Sequence, residues 1–89
     1  MNLNNIFKDR IKAHIVTFFH ENPQSVDTPR GVATWINQPR NVVKRALEEL
    51  AQEGILIPHR VSSTTGYAYT QNRKLILMVE KFLKTKGKK

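Results

Sequence analysis

The stretch TPRGVATWINQPRNVVKRALEELAQEGIL, residues 28–56, decides the fold. Thr28 followed by Pro29 is a strong helix start. The hydroxyl caps, and proline at the first helical position lacks only an N–H that would have had no partner. The spacing of the short helix PRGVATWI predicts burial of Val32, Trp35 and Ile36. Asn37-Gln38-Pro39 breaks this helix. Asn37 or Gln38 can cap the next one, with Pro39 again in a first turn. The second helix of the stretch is expected from about Pro39 to Glu53, with Val43, Ala46, Leu47 and Leu50 on one side. Gly54 follows in the place of a left-handed C-terminal cap.

Upstream, one helix is expected from about Leu3 to His20. Phe7, Ile11, Ile15 (or His14) and Phe18 make its apolar stripe, and Asn4 or Asn5 caps its start. Asn22-Pro23 stops it, because a residue before proline avoids the helical region. Ser25-Val26-Asp27 has the length of a single extended rung. Downstream, Ile55-Leu56-Ile57 begins a strand and SSTTG, residues 62–66, reads as a turn or loop tip. Tyr67-Ala68-Tyr69 returns, with both tyrosines on one face, as cover for the core. Pro58 cannot donate to a ladder, so its strand belongs at an edge. A last helix starts at Gln71 or Asn72 and ends near Lys84. The expected domain covers residues 1–84, with that helix at about 72–84 and a basic flexible tail at 85–89.

Composition narrows the function. Eighty-nine residues bury a modest core. With no cysteine there is no disulfide framework and no thiolate metal site. The N-terminus does not have the pattern of a secretory signal, and the longest apolar run, Leu75 to Val79, is too short for a bilayer. These features fit a cytoplasmic location. The net charge of +8 favours a polyanion as partner. Most of the excess lies in residues 61–89, where seven basic residues face one acid, Glu80. The middle of the chain, residues 31–60, is nearly balanced.

A short helix, a three-residue turn, a helix with the pattern V-x-x-x-L-x-x-L, a helix stop and a hairpin together resemble the winged helix–turn–helix superfamily. In particular they look like small bacterial and archaeal regulators of the multiple-antibiotic-resistance and arsenic-repressor types. The resemblance covers roughly Asp27 to Thr70. It implies a mainly α fold with a small β-hairpin: a three-helix core, a wing and an additional C-terminal helix. It also implies a sequence-specific double-stranded DNA-binding protein, a transcriptional regulator located at the nucleoid. The helix of residues 39–53 would lie in the major groove, with the wing of residues 55–70 in support. With Val43, Leu47 and Leu50 turned inward, Asn41, Lys44, Arg45, Glu48 and Gln52 point outward. Such a helix enters the groove by its N-terminal part. Arg40, Asn41, Lys44 and Arg45 are therefore assigned to DNA, with Asn41 and Arg45 as base readers. Thr28, Arg30 and Gln38, at helix starts, are assigned to phosphates, and Arg60 to a phosphate or a minor groove. The wing departs from the pattern: it holds a single Arg and a His, where several basic residues are usual.

The opposing reading of the second helix is a solvated face, with Arg45 paired to Glu48 or Glu49. Metal binding and catalysis are not expected. His14 and His20 point apart on their helix, and no nucleophile–base pattern or phosphate loop occurs. No cofactor is expected. The last helix is apolar on two or three sides, which predicts a homodimer through Leu75, Ile76, Met78, Val79, Phe82 and Leu83. Two recognition helices would then lie about 34–36 Å apart. The alternative function is a protein–protein module of the same fold with no specific DNA binding.

Overall fold

The computed structural model describes residues 3–87. Among these described residues five helices and three strands follow in the order α1 (Leu3–Lys8), α2 (Arg10–Glu21), β1 (Val26–Asp27), α3 (Pro29–Ile36), α4 (Arg40–Gln52), β2 (Leu56–Val61), β3 (Thr64–Tyr69) and α5 (Arg73–Gly87). The described chain is mainly helical, with one small antiparallel sheet in the order β1-β3-β2.

The expected first helix is two helices. Asp9 leaves the helical region at φ −83° and ψ 113°. Its Oδ1 accepts from the Ile11 N–H at 2.9 Å and the Lys12 N–H at 3.1 Å. The apolar stripe runs on across this break, so spacing alone hides it. At the far end Asn22 donates from Nδ2 to the Phe18 carbonyl at 2.9 Å and closes α2.

The start of α3 forms as expected, with the Thr28 hydroxyl accepting from the Gly31 N–H at 3.2 Å. Asn37 does not cap α4. It takes the left-handed conformation, φ 57°, and ends α3. The N-cap position of α4 falls to Pro39, which has no side-chain hydrogen bond to offer. The other end of α4 matches expectation: Gly54 has φ 83°. Its N–H donates to Ala51 at 3.0 Å, and the Ile55 N–H donates to Leu50 at 3.1 Å. These two bonds form a Schellman motif, which turns the chain into β2.

Val26-Asp27 is indeed a rung, paired with Ala68 and Tyr67. β2, with Pro58, is an edge strand. The hairpin tip lies earlier than expected. Val61 pairs with Thr64, so Ser62 and Ser63 make the turn and Gly66 sits inside β3 opposite His59. Ser62 takes a positive φ, 55°.

Ile15, Val16 and Phe19 of α2 meet Val32 and Ile36 of α3, Val43, Leu47 and Leu50 of α4, and Ile55, Leu56, Tyr67 and Tyr69 of the sheet. Trp35 is not part of this core. It is 70% exposed, its ring tilted against Phe18 at 5.4 Å, and Ala33 takes the inward position instead. An eight-residue helix has one narrow inner face, and Val32, Ala33 and Ile36 fill it.

Asn72 starts α5 by accepting the Leu75 N–H at 3.2 Å. This helix packs on α2, and its Phe82 stacks on Phe7 of α1 at 5.1 Å. Its backbone stays helical to Gly87, three residues past the expected end, because no breaker intervenes. The remaining residues of the expected flexible tail, Lys88 and Lys89, lie outside the described residues.

Candidate nucleic-acid interface

Three elements meet at the N-terminal end of α4. The start of α3 brings Thr28, Pro29 and Arg30. The first turns of α4 bring Arg40, Asn41 and Lys44, and the start of β3 brings Thr64. Together they line one concavity of about 530 Å³. All three cations are exposed. Two helices begin here, and each helix N-terminus carries a partial positive charge. The cap of α4 has no side-chain acceptor, so its first N–H groups stay open to an anion. The Thr28 oxygen accepts from Gly31, which leaves its hydroxyl hydrogen to donate outward.

Arg45 is not part of this group. It lines a neighbouring groove of about 240 Å³ with Asp9, Ile11, Lys12, Val42 and Glu49. Asn41 borders both grooves and so forms the ridge between them. Helical rotation explains the split. At about 100° per residue, Asn41 points directly away from the core, Lys44 leans to one side and Arg45 to the other. Glu49, one of the two partners that the opposing solvated-face reading offers Arg45, is taken by another residue. Lys12 of α2 binds Glu49 at 2.6 Å and ties the two helices together.

Gln38 and Arg60 are exposed but do not line the concavity. The Gln38 N–H donates to Ala33 within the turn. Arg60 stands on the edge strand opposite Thr65. The sequence offers Thr64 only as one of several hairpin hydroxyls that could meet a phosphate, with less weight than Arg60. As part of an expected loop tip it had no fixed neighbour, and only the true position of the turn brings it to α3 and α4.

Tyr67 and Tyr69 face the core and do not form an open stacking platform. Burial, and secondly the Glu48 carboxylate, push the Tyr67 hydroxyl above its ordinary value. Burial, then Glu80, push Tyr69 up to about 12. The Tyr69 hydroxyl lies 3.1 Å from His20 Nδ1, with the two rings edge to face. His14 and His59 are exposed. Among the described residues no group of three His, Asp or Glu side chains is placed to hold a metal. No described helix is long and apolar enough to cross a membrane.

The residues expected to meet a second copy are largely covered within the chain. Val79 is 0% exposed, and Ile76, Phe82 and Leu83 pack against the core. Leu75 is half-buried. The breadth of the apolar belt therefore reflects two intramolecular neighbours, α1 and α2. Of the six residues only Met78 is exposed, together with the adjacent Leu77.

No protein-family model matches the chain, and neither the curated proteins nor the solved structures compared with it give a match.

Proposed function

We propose that the protein binds double-stranded DNA as a winged helix–turn–helix regulator, with the first turns of α4 in the major groove. The supporting observation is the convergence of Thr28, Arg30, Arg40, Asn41, Lys44 and Thr64 on one concave face. In this reading Arg30, Arg40 and Lys44 hold phosphates beside the two helix starts. Asn41, on the ridge, meets a base edge, where an amide pairs best with adenine. Arg45 reaches the neighbouring bases from the other flank, and Arg60 supports from the edge strand. A wing poor in cations leaves most of the affinity to the α3–α4 end.

The test is fluorescence anisotropy on selected and random duplexes across a salt series. Arg40→Ala and Lys44→Ala should each weaken all duplexes alike and lower the salt slope by about 1. Asn41→Ala should remove about 1–3 kcal/mol of preference for the selected site and leave random DNA nearly unchanged. If all three variants match the parent on every duplex, the reading is wrong.

One observation favours the alternative, a protein-interaction module of the same fold. Trp35 is 70% exposed, and exposed tryptophans are enriched at the hot spots of protein interfaces. In that case Asn41→Ala changes nothing on DNA, and Trp35→Ala abolishes capture of the partner.

A further inference from the structure

Away from the concavity, the outer side of α5 has a different character. Leu77 is 57% and Met78 42% exposed. They share a shallow groove with Lys74, Lys81, Lys84 and Glu80. A second groove adjoins it, lined by Leu3, Asn4, Met78, Lys81 and Phe82, where α5 lies against α1. Met78 and Lys81 form the ridge between the two. Three lysines stand against the single, half-buried Glu80 along this groove, so the net charge of this face is cationic.

We propose that this face docks an acidic amphipathic helix of another protein. Its apolar side chains would fill the grooves beside Leu77 and Met78, and its carboxylates would meet Lys74 and Lys84. The charge argues against a second copy of the chain, because pairing this face with itself brings like charges together. The shape argues against a lipid surface. An interfacial helix needs a continuous apolar face, but Ile76, Val79, Phe82 and Leu83 turn into the protein's own core. Two apolar side chains between grooves suit the anchors of a helix laid across them. Because α5 contributes no residue to the α3–α4 concavity, this docking does not depend on DNA binding.

The probe is a labelled synthetic helical peptide about as long as α5, with leucines at three- and four-residue spacing and glutamates between them. The full chain should bind it. The double variant Leu77→Ser, Met78→Ser should weaken binding by about tenfold or more, as expected when two apolar side chains no longer bury surface against the peptide. Lys74→Gln with Lys84→Gln, which alters no apolar packing, should weaken it as well. Duplex binding by the serine variant should stay at the parent level. Equal binding of a peptide with serines in place of the leucines would overturn the proposal, leaving only a cationic surface. So would sedimentation with phosphatidylserine vesicles through Leu77 and Met78 in the absence of peptide binding. A parent dimer that becomes monomeric in the serine variant would assign the face to a second copy instead.

Discussion

Val79→Ala separates a core residue from an interface residue. Val79 has no exposed surface within the single chain. The substitution removes two methyl-sized groups, a transfer loss of about 1.6 kcal/mol. The space left behind adds up to about 1 kcal/mol if its walls do not collapse. Alanine's better helix propensity returns about 0.5 kcal/mol. The net loss is about 2 kcal/mol. In urea, where a domain this small has a slope near 1 kcal/mol per M, the midpoint should fall by about 2 M. The shift should be the same at low and high protein concentration, because Val79 packs only against its own chain. Met78→Ala, on the exposed side, should cost less than about 1 kcal/mol. A Val79→Ala loss that grows on dilution would refute this reasoning and return Val79 to a dimer interface. So would a loss below about 0.5 kcal/mol, which would mean that the helix is not docked on the core.

Three further outcomes follow from single interactions. Asp9→Ala removes the cap that starts α2 and should cost about 1 kcal/mol in urea unfolding, with Asp9→Asn retaining most of it. Glu48→Gln removes a carboxylate from the outward side of α4; it should tighten binding to random duplex and lower the pKa of Tyr67 toward 10, read by ultraviolet titration. Tyr69 holds its proton more tightly folded than unfolded, so the stability tied to it is complete below pH 10 and lost as the pH rises toward about 12. Urea midpoints across that range should therefore fall less steeply in Tyr69→Phe than in the parent.

Much of the fold was legible because short-range chemistry marks it. Thr28-Pro29, Gly54 and Asn72 each stop or start a helix by a bond to a backbone group within a few residues, and Pro58 marks an edge by the donor it lacks. The misses occurred where a local signal was present but a stronger pattern covered it. Asp9 is a good N-cap residue, but the stripe of Ile6, Phe7, Ile11 and Ile15 reads as one helix across it. Gly66 looks like a turn residue, yet the ladder from Leu56↔Tyr69 to Val61↔Thr64 fixes the turn at Ser62-Ser63. Helical spacing places Trp35 inward with Val32 and Ile36, but Ala33 fills the third place on the narrow inner face of α3 and Trp35 is left outside. The separation of Lys44 from Arg45 was available from helix rotation alone. The arrival of Thr64 beside Thr28 and Arg40 was not, because it depends on how the hairpin folds back over the helices.

The net charge of +8 describes two surfaces that differ in what they can recognise. At the α3–α4 end Arg30, Arg40 and Lys44 stand beside two helix N-termini, threonine hydroxyls and an amide. Every one of these groups can donate a hydrogen bond, which suits phosphate oxygens and base edges. On α5, Lys74 and Lys84 stand beside Leu77 and Met78. Apolar side chains gain nothing from a phosphate backbone, but they do gain from another apolar surface. A polyanion with no apolar part should therefore prefer the first surface, and its affinity should fall steeply with salt. An acidic chain with apolar anchors should prefer the second, and should keep part of its affinity at high salt because apolar burial is not screened. Titrating both probes to high salt compares the two surfaces on one protein. If the duplex and the peptide lose affinity with the same slope, the distinction between them is wrong and charge alone governs both.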